Sequence, residues 1–140
     1  MGNLLGYQYD RLQKLQNATV RYVAGIKFPN RTSPARLKLG WLNVRLRQKY
    51  MSALYIYNTL NNCLPVYLKA KINVYVPAQD LRPHLFVPTS SCSKFNNSPL
   101  VHMLNFWNTL PESIRLAPSI DSFKQSLYHY LLQNDSSISL

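Results

Sequence analysis

Acidic residues are scarce in this chain of 140 residues, which has five Asp and Glu against sixteen Lys and Arg. The five acids are Asp10, Asp80, Glu112, Asp121 and Asp135, and no two of them are adjacent or stand three or four residues apart. A polymerase or nuclease that uses two metal ions holds them with clustered carboxylates. The sequence therefore argues against such a centre, and we expect no catalytic residues, no metal and no cofactor.

Glycine and cysteine are also scarce, with four Gly and two Cys. Four glycines leave no Gly-rich loop of the usual pattern to hold the phosphates of a nucleotide. Cys63, Cys92 and the three histidines do not have the spacing of a zinc site. No small-molecule substrate is expected, and two free thiols in a reducing compartment are favoured over a disulfide.

Long apolar runs are missing as well. No stretch approaches 18 apolar residues, so we expect no membrane association through a spanning helix. The first ten residues, MGNLLGYQYD, lack the basic region and apolar run of a signal peptide. The expected location is nuclear or cytoplasmic, and the chain is not expected to be secreted.

Positive charge is abundant, and it is concentrated in the first third of the sequence. Residues 1–49 hold ten Lys and Arg and one acid, Asp10, whereas the remaining 91 residues have a net charge of only +2. Such a basic segment needs anions from elsewhere, and phosphate backbones or anionic membranes are the usual sources. The side chains predicted to contact RNA or DNA are Arg11, Lys14, Arg21, Lys27, Arg31, Arg36, Lys38, Arg45 and Lys49. Tyr9 and Tyr55 are the tyrosines freest to contact a partner.

Apolar residues recur at helical spacing along most of the chain, which predicts a mainly α fold of about five helices. Helices are expected over residues 4–26, 34–39, 43–61, 66–75, 100–116 with a break at Pro111, and from 118 onwards. The expected inner face of the first helix is Leu12, Leu15, Thr19, Tyr22, Val23 and Ile26. Alternating residues 81–87 predict a short β-hairpin near residues 81–97.

These segments divide the chain into four parts. We expect a basic helical segment over residues 1–75, a Pro- and Ser-rich loop or hairpin over 76–99, and a C-terminal helical segment over 100–133. Residues 134–140 form a polar tail that is expected to fray.

Several motifs, in order, resemble the region that follows the polymerase domain in non-LTR (LINE-type, jockey-like) retrotransposon reverse transcriptases. They are residues 12–18 (LQKLQNA) with Arg21, 39–47 (LGWLNVRLR), 60–68 (LNNCLPVYL), 81–82 (LR), 106–111 (FWNTLP) with Ile114 and Arg115, and 118–124 (PSIDSFK). The likeness covers roughly residues 5–132, and it departs from the family at Asn43, where proline is common.

This resemblance implies the thumb-side segment of an RNA-directed DNA polymerase, which packs helices against a template-primer duplex. The family's catalytic carboxylates lie in an upstream palm with an aromatic-x-Asp-Asp motif, and this sequence has no Asp-Asp pair. The palm and the endonuclease are therefore expected to be missing, and the chain is not expected to be an enzyme. The motif residues expected to be structural are Trp41, Arg47, Trp107, Asn108 and Pro111, with Asn108 and Pro111 shaping the turn after Trp107.

Two alternatives to nucleic-acid binding are left open. In one, the chain is a protein-interaction segment whose apolar faces dock onto the missing polymerase palm, in cis or in trans. In the other, it is a retroelement remnant without a function.

Overall fold

The computed structural model of the chain describes residues 6–61, 65–75 and 84–135. The elements are α1 (Gly6–Ala24), α2 (Ser33–Lys38), α3 (Val44–Leu60), α4 (Val66–Lys69), β1 (Val74–Tyr75), β2 (His84–Leu85), α5 (Ser93–Asn96), α6 (Pro99–Thr109), α7 (Glu112–Arg115) and α8 (Ile120–Gln133). The prediction of a mainly α fold is confirmed. Of the helices in these residues, none has the length and hydropathy needed to cross a membrane.

The longer helices begin and end near the positions that the sequence indicates. Gly25 and Gly40 follow α1 and α2 with φ values of 65° and 69°. Glycine adopts this left-handed conformation without steric cost, so it favours the end of a helix. The break expected at Pro111 is confirmed, because Leu110 and Pro111 separate α6 from α7.

The middle of the chain departs from the prediction. The helix expected over residues 66–75 ends at Lys69, and Val74 and Tyr75 form β1 instead. β1 pairs antiparallel with β2, with Val74 opposite Leu85. The strand expected within residues 81–87 therefore pairs with a strand that precedes it in the sequence. Residues 93–96, expected in the hairpin, form α5. Other parts of these predictions fall on residues 62–64 and 76–83, outside the described residues.

The chain forms two compact units, which we call central and terminal. The central unit comprises residues 51–126, and the terminal unit combines residues up to 50 with those from 127 onwards. The units therefore differ from the four linear segments that the sequence suggested. The terminal unit is built from the two ends of the sequence.

Aromatic rings hold the core of the central unit. Tyr57 of α3 stacks on Phe123 of α8 with 4.2 Å between ring centroids, and Trp107 of α6 lies 5.8 Å from Phe123. The Tyr57 hydroxyl donates to the Ala117 carbonyl at 2.8 Å, which satisfies its buried polar atom. Trp107, one of the motif residues, is buried here at 4% exposure.

Helix α1 packs in the terminal unit through amide side chains. Gln16 donates from Nε2 to the Leu42 carbonyl at 2.7 Å, and Gln13 accepts from the Val44 N–H at 3.1 Å. Gln13 Nε2 donates in turn to Gln16 and Asn17. Val20 is the one fully buried residue of α1. This polar inner face replaces the apolar one that the sequence predicted.

The expected inner face of α1 points outward. Leu12 is 41% exposed, Leu15 65%, Tyr22 90% and Val23 54%. Thr19 is exposed too, and Ile26 is half-buried. The prediction was wrong because periodicity identifies an apolar face without showing what covers it. We call Leu12, Leu15, Thr19, Tyr22 and Val23 the outer stripe of α1.

Candidate nucleic-acid interface

The nine side chains predicted to contact phosphate all belong to the terminal unit. Seven are exposed: Arg11, Lys14, Lys27, Arg31, Lys38, Arg45 and Lys49. Arg21 is half-buried, because its Nη1 donates to the Asn30 carbonyl at 3.0 Å and its guanidinium lies 5.8 Å from the centre of the Phe28 ring. These contacts hold Arg21 against the loop after α1.

Arg36 does not share this exposure. It is 2% exposed, and its Nη2 lies 2.8 Å from Asp135 Oδ2, while its Nη1 donates to the Trp41 carbonyl at 2.8 Å. A buried guanidinium that already has a carboxylate partner cannot reach a phosphate in solvent. We therefore remove Arg36 from the predicted contacts and assign it to the packing of the terminal unit.

The burial of Asp135 contradicts part of the prediction of a frayed tail. Residues 134–140 were expected to fray, but Asp135 is 3% exposed. Besides its ion pair with Arg36, it accepts a hydrogen bond from Asn43 Nδ2 at 3.4 Å. Residues 136–140 lie outside the described part of the chain.

One flank of α1 carries three cations. With 3.6 residues per turn, Arg11, Lys14 and Arg21 fall within about 80° around the helix axis. Within the residues that the structure describes, neither Arg11 nor Lys14 makes an ion pair. We call these three side chains the basic flank. It lies between the outer stripe and the amide face of α1.

Helix α3 contributes a second pair of cations. Arg45 and Lys49 are four residues apart and share one side of the helix. The Arg45 guanidinium lies 4.7 Å from the centre of the Tyr9 ring, which places this side of α3 next to α1. Arg47 points elsewhere and lies 5.6 Å from the Tyr50 ring.

A cleft of about 250 Å³ opens where α1 meets the first residues of α2 and α3. Its wall includes Tyr9, Asp10, Asn17, Ser33 and Arg45. Asn43, also at the cleft, caps α3 by accepting from the Leu46 N–H at 2.9 Å. The sequence reasoning singled out Tyr9 and Arg45 but missed Asn17 and Ser33. Asn17 could have been found from the sequence, because Gln13, Gln16 and Asn17 recur at helical spacing.

The remaining motif residues are structural in different ways. Asn108 bonds both backbone groups of Leu85 at 2.9 Å, donating to the carbonyl and accepting from the N–H, and so holds β2 in place. It therefore orders a strand rather than the turn after Trp107. Pro111 is exposed and precedes α7, and Trp41 is half-buried rather than buried.

Tyr50, in the terminal unit, has a perturbed pKa. Burial raises the pKa of its hydroxyl above the ordinary value of 10.0, and the Arg47 guanidinium partly offsets this rise. The Tyr128 ring packs edge-on against Tyr50 at 5.6 Å, and its hydroxyl donates to the Gly40 carbonyl.

No group of three or more His, Cys, Asp or Glu side chains that could hold a metal ion occurs in the described part of the chain. No protein-family model, curated protein or solved structure matches this sequence.

Proposed function

We propose that this chain is a thumb-side piece of a non-LTR retrotransposon RNA-directed DNA polymerase that binds template-primer nucleic acid through phosphate contacts. It has no catalysis of its own in this proposal. The order of the sequence motifs supports the family, and the mainly α fold agrees with a helical thumb segment. The observation that carries the proposal is the excess of exposed cations in the terminal unit.

Among the described residues of the terminal unit, the acids are too few to neutralise this excess. Asp10 is the sole acid among the first 50 residues, and Asp135 is buried against Arg36. Seven exposed Lys and Arg side chains from the predicted set therefore face solvent together with one exposed carboxylate. Phosphate contacts position a protein on a duplex but do not read its sequence, so binding should be only weakly sequence-specific.

The salt dependence of binding tests this proposal. If about six cations engage phosphates of an RNA–DNA duplex, the slope of log K against log salt should be about −5. Fluorescence anisotropy with a labelled duplex at several salt concentrations measures this slope. A slope flatter than about −2 would contradict phosphate binding as the main interaction.

Single substitutions sharpen the test. Each of Arg11→Gln and Lys14→Gln should reduce the slope by about 0.9 and weaken binding to every duplex sequence alike. Lys94→Gln is the matched control, because Lys94 is also exposed but lies on α5 in the central unit. If Lys94→Gln changes the slope as much as Lys14→Gln does, the interface lies elsewhere.

Docking onto a polymerase palm is the second candidate function, and the outer stripe of α1 favours it. Leu15 and Tyr22 are large apolar residues exposed at 65% and 90%, and they recur at the spacing by which a helix anchors in an apolar groove. The double substitution Leu15→Ser and Tyr22→Ser should abolish binding to an isolated palm domain of such a polymerase and leave duplex binding unchanged.

Circular dichroism and ANS fluorescence separate the two candidates further. A chain that depends on docking for its folding should bind ANS and show no cooperative melt by itself. A chain that folds independently should melt cooperatively.

A further inference from the structure

We propose that the cleft between α1 and the first residues of α2 and α3 holds one unpaired nucleobase and prefers guanine. The proposal deepens the nucleic-acid binding argued above and rests on it for its biological setting. It names the part of the nucleic acid that enters the terminal unit, as distinct from the phosphates that lie along the basic flank.

The size of the cleft limits its occupant. At about 250 Å³ it is smaller than the roughly 300–1,000 Å³ of pockets for drug-sized ligands. A single heterocyclic base with part of its sugar matches this space, whereas a base pair does not. The occupant must therefore come from an unpaired position, such as the overhang of a template.

The chemistry of the wall favours a base over a phosphate. The Arg45 guanidinium lies over the Tyr9 ring at 4.7 Å, and unstacked bases bind on such aromatic and guanidinium planes. Asp10 lines the same cleft and would repel a phosphate placed beside it.

The free polar groups of the cleft match the edge of guanine. The Asp10 carboxylate, the Asn17 NH₂ group and the Ser33 hydroxyl make no hydrogen bond or ion pair with any described residue. A carboxylate can accept from the two neighbouring N–H donors of the guanine pairing edge, and an amide or hydroxyl donor can bond its O6. Adenine lacks both the second donor and this carbonyl.

Nucleosides without a phosphate test the cleft directly. In NMR titrations of the isotope-labelled full chain, guanosine should shift the signals of Tyr9, Asn17, Ser33 and Arg45. It should bind about tenfold more tightly than adenosine or uridine, since a bidentate contact contributes about that much discrimination. Absence of shifts at these residues, or equal affinity for the three nucleosides, overturns the proposal.

Two variants assign the contacts. Asp10→Asn is isosteric at an exposed position, and it should remove the preference for guanosine. Tyr9→Ala should weaken the binding of all three nucleosides, and Tyr9→Phe should restore it. Tyr7→Ala should leave binding unchanged, because Tyr7 is on α1 but not in the cleft wall. A guanosine preference that survives Asp10→Asn contradicts the assigned pairing edge.

The salt series with duplex RNA–DNA, measured on the same preparation, keeps the two proposals apart. If duplex binding follows the expected slope while guanosine leaves the cleft signals unmoved, the base site fails and phosphate binding stands. If guanosine binds as expected while the duplex does not bind, the cleft stands and the proposed function fails.

Discussion

Arg36 and Asp135 form a buried ion pair whose partners are 99 residues apart in the sequence and 2.8 Å apart in the fold. Removing one partner of such a pair leaves an uncompensated charge out of water. We expect Asp135→Ala to lower the free energy of unfolding by about 3–5 kcal/mol. The double substitution Arg36→Met with Asp135→Leu should cost less, because it leaves no charge behind. Urea titrations followed by circular dichroism measure both.

Asp121 provides the control for this prediction. Its side chain is 85% exposed and lies 3.8 Å from Lys124, and exposed pairs contribute little to stability. Asp121→Ala should change the free energy of unfolding by less than about 0.5 kcal/mol. Equal effects of Asp121→Ala and Asp135→Ala would mean that the buried pair does not stabilise the terminal unit.

Tyr50 makes stability depend on pH in the alkaline range. Burial raises the pKa of its hydroxyl above 10.0, so the folded chain holds this proton more tightly than the unfolded chain. The contribution of Tyr50 is therefore complete below about pH 10 and is lost as pH rises through the higher folded pKa. Tyr50→Phe should reduce the fall of the melting temperature between about pH 9.5 and 11. Tyr22→Phe, at a ring 90% exposed, should leave that profile unchanged.

On helix α1, amide side chains pack inward, whereas several large apolar side chains are exposed. Gln13 accepts from the Val44 N–H, and without it this part-buried donor loses that hydrogen bond. We expect Gln13→Ala to cost about 1–3 kcal/mol of unfolding free energy. Leu15→Ala should cost less than about 0.5 kcal/mol, since Leu15 is 65% exposed. Thermal melts of the two variants make the comparison.

If Leu15→Ala cost more unfolding free energy than Gln13→Ala, the outer stripe would belong to the core. Leu→Ala in a core typically costs about 2–5 kcal/mol, so a loss of that size at Leu15 is easily distinguished from a surface effect. It would show that α1 packs through its apolar side in solution.

The sequence predicted the long helices because their signals are local. Apolar spacing, Gly25, Gly40 and Pro111 all act within one or two turns, and α1, α3 and α8 lie close to the expected bounds. β1 was missed because the pairing of Val74 with Leu85 depends on a strand ten residues further along the chain. The outward direction of the stripe on α1 was missed for a similar reason, since it depends on contacts with Leu42 and Val44.

For the candidate nucleic-acid interface, the sequence predicted the charged side chains but not how they are arranged. Composition located the cations ahead of residue 50, and seven of the nine are exposed. Nothing near Arg36 in the sequence indicates that Asp135 neutralises it. The cleft likewise depends on three elements meeting, so Asn17 and Ser33 have no local pattern that connects them.

At the scale of the whole molecule, sixteen Lys and Arg against five acids give a net charge of +11. Repulsion among these charges destabilises a compact chain, and salt screens it within a distance of about 10 Å at 0.1 M. We expect the melting temperature to rise by several degrees as sodium chloride increases from about 20 mM to about 500 mM. Differential scanning fluorimetry measures this change. A melting temperature that falls with salt would show that attractive ion pairs dominate.

The terminal unit has a consequence for synthesis on the ribosome. It joins residues before position 51 to residues after position 126, and Asp135 completes the charge balance of Arg36. Translation proceeds from the N-terminus at about 5–20 residues per second, so the first segment leaves the ribosome several seconds before its counterpart exists. During that interval Arg36 lacks its carboxylate, and the nascent segment has its strongest attraction for polyanions such as ribosomal RNA. This unit can close only after residues from 127 onwards have left the ribosome.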